Sequence, residues 1–261
     1  MRVIDCSAMI GYGVVNHTVV NHEGFTLVER VAEARDAGEM IAYMDYCGIE
    51  SAIVGHQAMI DVTPTYGNQK LVKETAKCPE RLIPSWTILP PATDEEFEPE
   101  KLFQAMQEHQ VKALRAYPTT QRYFLERITM DELLTELQMR KIPLFLTPSE
   151  GYEHIYRLLE QYPRMRVIIH NYGPWSPDRF WFPLLRAYQD VYFETGDYET
   201  DGGLERMIGR FGSGRFVYGS DFPTNNIGGS LAVLRSLEIS SSSREEIAHG
   251  NIERLISEAK A

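Results

Sequence analysis

Eight short apolar runs, each followed by a stretch with helical periodicity, fill almost the whole chain, and this alternation restricts the fold more than any single motif does. The strand-like runs fall near 3–5, 51–54, 82–86, 112–115, 143–146, 167–169, 191–194 and 216–218. Helical patterns lie between and after them at 37–47, 68–77, 100–109, 131–140, 152–162, 180–188, 203–211 and 229–237. The runs are largely apolar, with polar residues mostly at their ends, as in strands covered on both faces of a parallel sheet. Gly48, Pro79 and Gly212 sit where helices must stop, and the serine run 240–243 predicts a cap for a last helix through Arg244, Glu245 and Glu246. No repeat or linker divides the 261 residues, so residues 1–261 read as a single domain. Eight βα units in succession predict a closed parallel barrel, (β/α)8. A doubly wound open sheet is the alternative. It needs a glycine-rich turn after the first strand, and Gly11-Tyr12-Gly13 is too short to supply one.

In such a barrel the chemistry sits where strands end. Phe216-Val217-Tyr218-Gly219-Ser220-Asp221-Phe222-Pro223 is an apolar run that ends in a carboxylate, with a proline to stop the strand. Val167-Ile168-Ile169-His170 delivers a histidine in the same way. The strand-end rule selects Ser7, Met9, His56, Arg115, Thr147, His170, Glu194 and Asp221 as residues of the barrel mouth.

Composition narrows the partners. A net charge of −11 does not suit a nucleic-acid surface. No apolar run is long enough to span a bilayer, and the start, Arg2-Val3-Ile4-Asp5, enters a strand with no basic-then-apolar leader. Cys6, Cys47 and Cys78 form neither a disulfide framework nor a zinc-ribbon spacing. The expectation is a reduced, cytoplasmic protein with a small-molecule ligand and no nucleic-acid or membrane partner, able to form homo-oligomers.

Several segments in order resemble the amidohydrolase-related family, the branch called amidohydrolase 2. Ile4-Asp5 is similar to its first strand and Cys78-Pro79-Glu80-Arg81-Leu82 to its approach to strand three. His170-Asn171-Tyr172-Gly173 resembles its histidine turn, Gly219-Ser220-Asp221-Phe222-Pro223 its last-strand motif, and Gly250-Asn251-Ile252-Glu253-Arg254-Leu255 its closing helix. The resemblance implies a TIM barrel of the metal-dependent-hydrolase type and small cyclic or carboxylated substrates such as amides, lactones or aromatic acids, with some relatives decarboxylating. It also implies a metal held by two strand-one histidines, histidines of strands five and six, and a strand-eight aspartate. On this chain those positions carry Ser7, Met9, Thr147, His170 and Asp221. Catalytic divalent sites use about three or more nitrogen or carboxylate ligands. A thioether and two hydroxyls are poor substitutes, so the expectation is a metal that is absent or weakly held.

The residues then take roles by type and place. Asp221 and His170 form an acid–base pair, since a carboxylate orients and strengthens an imidazole. Arg115 either clamps a substrate anion or pairs with Asp5, Glu194 or Asp221. Ser7, Met9, Thr147 and His56 line the pocket, and Trp175, Trp181 and Phe182 either roof it or form a lid. Strict alternation from Ser7 turns Cys6 toward the helices. The leading reading is a hydrolase working without a tightly bound metal. Two others stay open: a non-catalytic barrel that binds a ligand or a protein, and a metal enzyme whose lost ligands are replaced by His17, His22 or His56.

Overall fold

The structure, a computed structural model, describes residues 1–11, 33–91, 97–172, 178–196 and 202–260. Its centre is a ring of eight strands in chain order, each parallel to the next: β1 Ile4–Ile10, β2 Ser51–His56, β3 Leu82–Thr87, β4 Ala113–Arg115, β5 Leu144–Leu146, β6 Val167–Ile169, β7 Val191–Glu194 and β8 Phe216–Val217. Helices α1 Ala37–Cys47, α2 Ala58–Asp61, α3 Pro64–Thr75, α4 Pro99–Glu108, α5 Arg127–Arg140 and α6 Tyr152–Gln161 connect the first six strands. The chain continues through α7 Asp178–Ala187, α8 Gly203–Phe211, α9 Ile227–Ser236, α10 Ser241–Glu245 and α11 Asn251–Ser257, with a π-turn at Glu246–Gly250. The predicted (β/α)8 barrel is the observed fold.

The local signals work where they were read. Gly48 ends α1 in the left-handed region at φ 77°, a conformation glycine adopts without steric cost. Ser240 caps α10 by accepting from the Ser243 amide. Two helix starts come earlier than periodicity suggests. In α3, Thr63 accepts from the Tyr66 amide and Pro64 occupies the first turn. In α5 a non-helical Met130 (φ −144°) interrupts the first turn, so the apolar period reads cleanly only beyond it.

Two apolar shells follow from the period of two along each strand. The outer shell, between strands and helices, takes Val54, Leu114, Leu144, Leu146, Val167, Ile169, Val191, Phe193 and Phe216. The inner shell fills the barrel with Ile4, Cys6, Ile53, Ala113, Phe145, Ile168, Tyr192 and Val217, and Ile252, Leu255 and Ile256 of α11 close it from below. Cys6 therefore faces inward, which corrects the reading that turned it toward the helices. The reason is a register shift between Asp5 and Ala8, where β1 stops alternating evenly against β2.

The ring closes where β1 meets the end of β8. Backbone bonds run from the Cys6 amide to the Tyr218 carbonyl (2.9 Å) and from the Met9 amide to the Phe222 carbonyl (2.8 Å). Between them the Asp5 carboxylate accepts from the Ser220 amide (2.9 Å), the Ser220 hydroxyl (2.5 Å) and the Ser7 amide (3.1 Å). Asp5 is fully buried. Loss of solvation pushes its carboxyl up to about 6, the Asp221 charge adds to this, and the bonds from Ser220 and Ser7 oppose it.

A raised folded-state value means the native protein binds a proton more readily than the unfolded chain does. The Asp5 contribution to stability is thus fully present below about pH 4 and is lost as pH rises through about 6. Denaturation of the wild type and Asp5→Asn across this range should show the wild type losing on the order of 3 kcal/mol relative to the variant. A difference that does not change with pH would mean Asp5 titrates as an ordinary carboxylate.

Candidate active site

The inner face changes character at one level of the barrel. Two residues beyond the apolar inner shell, the same strands present Gly55 after Ile53, Ser85 after Ile83 and Arg115 after Ala113. Thr147 follows Phe145, His170 follows Ile168, Glu194 follows Tyr192 and Gly219 follows Val217 in the same way. Period-two geometry stacks this polar layer directly on the apolar one, at the C-terminal ends of the strands.

Two glycines make the layer possible. A Cβ on Gly55 would sit 2.6 Å from Met9 Sδ and 3.2 Å from Arg115 Nε. A Cβ on Gly219 would strike Glu194 Cγ and lie 2.8 Å from both Glu194 Cδ and Ser7 Oγ. A side chain at either position would force these neighbours to shift, so the glycines leave the volume that Met9, Arg115 and Glu194 use.

Arg115 is only 1% exposed. Its Nε donates to Ser85 Oγ (2.8 Å), Ser85 donates on to the Val54 carbonyl (2.9 Å), and the guanidinium lies over Phe145 at 4.8 Å. This replaces the anticipated ion pair with Asp5, Glu194 or Asp221. Nη2 keeps no hydrogen-bond partner although it is buried. Nearby, burial raises the Tyr117 hydroxyl, while the charge and hydrogen bond of Arg115 pull the other way.

His170 Nδ1 lies 3.3 Å from Asp221 Oδ1, and the imidazole meets Phe145 edge-on at 5.7 Å. Asp221 adopts φ +50° and Asn171 φ +48°, a strained region that Asp and Asn tolerate better than most residues. Asp221 is 8% exposed, and its Oδ2 is buried without a partner. Glu194 is held on both oxygens: Oε1 accepts from the Gly196 amide (2.6 Å) and Oε2 from Ser7 Oγ (3.3 Å).

The remaining predicted site residues have other surroundings. Thr147 Oγ1 caps the 3-10 turn Pro148–Glu150, accepting from the Ser149 amide, and donates to the Asn171 carbonyl (3.0 Å). Ser7 donates to Glu194, so the pairing with His170 needed for a serine nucleophile is not formed. His56 follows the outward-facing Val54, packs against Gly11, and accepts from the Ala58 amide at Nδ1 (3.1 Å); burial lowers its basicity. Trp181 is wholly buried, with its ring 5.1 Å from that of Phe193, and so belongs to the outer packing. Trp175, His17 and His22 lie outside the described residues.

Sequence reasoning placed Glu194 at the mouth but did not group it with His170 and Asp221. These three residues each offer a donor atom, and the donor atoms all lie within 4.8 Å of one another. The available signal was that β7, like β8, runs apolar into a carboxylate. One imidazole and two carboxylates match the donor count and type of a divalent-ion site with open positions. Ser7, Met9 and Thr147 add no nitrogen or carboxylate donor, so the residues fit such an ion with three protein ligands.

An eight-stranded parallel barrel with His170, Glu194 and Asp221 at the C-terminal ends of its strands has the architecture of a TIM barrel of the amidohydrolase type. The sequence profile of the amidohydrolase family matches residues 29–257, and the chain belongs to that family. No curated protein sequence matches it. Among solved structures, an uncharacterized TIM-barrel protein from Bordetella bronchiseptica aligns over 100% of both chains with TM-score 0.76 and 17% identity. A dihydroxybenzoic acid decarboxylase from Polaromonas sp. JS666, with bound manganese and the inhibitor 2-nitroresorcinol, aligns over 100% of this chain and 98% of its own (TM-score 0.71, 17% identity). A 4-oxalomesaconate hydratase from Rhodopseudomonas palustris aligns over 98% and 96% (TM-score 0.69, 11% identity). At these identities the likeness is one of fold.

Gly219→Ala tests the packing of the layer. Glu194 and Ser7 must move to admit the methyl group, at a cost of roughly 1–3 kcal/mol. Urea denaturation should show that loss and a crystal structure should show Glu194 displaced; an unshifted Glu194 at wild-type stability would contradict the assigned contacts.

Proposed function

We propose that this protein is an enzyme that hydrolyses a small, carboxylate-bearing amide or lactone, with Asp221 and His170 moving the proton and Arg115 holding the anionic group. One observation carries the reading: two oppositely charged side chains of the barrel mouth each keep a buried, unpartnered atom, Arg115 Nη2 and Asp221 Oδ2. Buried polar atoms are nearly always paired, so orphans of this kind mark places where a ligand completes the set. A barrel retained only for structure would have its mouth charges satisfied internally, and this favours an enzyme over the non-catalytic alternative. The names of two structural neighbours, a dihydroxybenzoic acid decarboxylase and an oxalomesaconate hydratase, support a carboxylated substrate class.

The chemistry assigns each group a task. Arg115, fixed by Ser85 and the Phe145 ring, presents Nη2 to a substrate carboxylate. With Asp221 accepting from Nδ1–H, the imidazole keeps Nε2 as its basic nitrogen. Nε2 takes a proton from the attacking water as the water oxygen bonds to the substrate carbonyl carbon. The imidazolium, stabilised by Asp221, then returns that proton to the departing nitrogen or oxygen. A divalent cation bound at His170, Glu194 and Asp221 would instead supply Lewis-acid polarisation of a substrate oxygen, with His170 then a ligand and no longer the base.

The test is a panel of hydroxybenzoates, lactones and amides of small carboxylic acids, followed by mass spectrometry. Hydrolysis of at least one member is expected. Asp221→Asn should lower kcat by about 10²–10⁴ with the thermal midpoint retained. Arg115→Lys should raise KM about tenfold for the carboxylate but leave its methyl ester unaffected. Loss of carbon dioxide in place of hydrolysis would move the reaction to decarboxylation. Unchanged kcat in Asp221→Asn would remove that residue from the mechanism.

A further inference from the structure

We infer that Glu194 takes the place of the absent strand-one ligands, forming with His170 and Asp221 a three-donor site for a loosely held, exchangeable hard divalent cation of the manganese type. The inference deepens the functional reading of the same site and rests on that reading for the site's location.

Three observations lead to it. The first is convergence. Donor atoms from the ends of three successive strands, β6, β7 and β8, come within 4.8 Å of one another, and all three residues are buried. A proton or a single hydrogen bond needs no such gathering. The second is charge. Glu194 and Asp221 bring two carboxylates into a buried layer, and the Asp221 charge reaches a third buried carboxylate, Asp5. The one guanidinium of the layer, Arg115, spends its Nε on Ser85 and its face on Phe145. Asp221 Oδ2, on a residue more than nine-tenths buried, has no partner at all. Carboxylates taken out of water need compensation by a cation or by hydrogen bonds, and this oxygen has neither.

The third observation is support around the donors. Glu194 is oriented by the Gly196 amide and the Ser7 hydroxyl, and Gly219 leaves the space in which it lies. His170 is oriented by Phe145. Outer contacts of this kind fix ligands in metal sites. A carboxylate oxygen accepts more than one bond, so the contacts to Gly196 and Ser7 do not bar Glu194 from ligating a cation. Ser7 thus acquires a use: where the family resemblance places a histidine ligand, this chain has a hydroxyl that positions the replacement ligand. Carboxylate-rich donor sets with one imidazole favour manganese or magnesium over soft ions, and three protein ligands hold less firmly than the five the resemblance implies.

The experiment is a titration of the chelator-treated full chain with Mn²⁺, read by loss of the free-ion electron paramagnetic resonance signal. The wild type should take up about one Mn²⁺ per chain. Glu194→Gln and Asp221→Asn should each weaken uptake about tenfold or more, and Ser7→Ala by a smaller factor. Glu132→Gln, at an exposed carboxylate, should leave uptake unchanged. Circular dichroism confirms folding of each variant. If Glu194→Gln does not fold, Asp221→Asn and Ser7→Ala still decide the question. No uptake by the wild type, or wild-type uptake by folded Glu194→Gln and Asp221→Asn, overturns the site. Turnover by a protein that takes up no Mn²⁺ would sink the cation site and leave the acid–base reading standing. Specific uptake with turnover unaffected by Asp221→Asn would do the reverse.

Discussion

A ring of parallel strands is stable only if its first and last members join, and that joint governs everything built inside it. Here two backbone bonds and one buried carboxylate make the connection. Asp5 gathers two donors from Ser220 and one from Ser7, so a single side chain ties the bulged part of β1 to the segment that carries Asp221. Ser220 of the seam and Asp221 are adjacent along the chain. Whatever displaces Ser220 also displaces Asp221, so the mouth inherits its geometry from the closure.

Above the seam, the interior is organised as stacked layers. The apolar layer fills the barrel with Phe145, Ile168, Tyr192 and their neighbours. Its density holds the polar layer rigidly: Phe145 supports Arg115 on its face and meets His170 edge-on. The polar layer lacks the two side chains that would stand at positions 55 and 219, and larger groups from other strands occupy that space. Arg115 is thus held by a hydroxyl and a ring face, Asp221 meets His170 through one oxygen, and each keeps an uncommitted atom.

Much of this was legible in the sequence. The number, order and positions of the strands could be read because each is a short apolar run bounded by turn residues, and strand ends alone located Arg115, His170, Glu194 and Asp221. Family resemblance pointed to Ser7, Met9 and Thr147 as the positions to set beside the histidines it implies. Three features were not legible. The inward face of Cys6 depends on a bulge, and alternation cannot register an inserted residue. The burial of His56 against Gly11 depends on which face of β2 continues into the loop. The grouping of Glu194 with His170 and Asp221 is a distance between strand ends far apart in the chain, and spacing along one strand contains no such term.

The floor of the barrel has a consequence for assembly. Ile252, Leu255 and Ile256 seal the cavity that Ile4 and Cys6 begin, so partners in one small cluster are separated by nearly the whole chain. Until those residues emerge during synthesis, the lower end of the ring stays wet and its apolar lining has no lid. β1 therefore reaches its final environment only after α11 has been made, and the nascent chain must shelter an unfinished interior between the two.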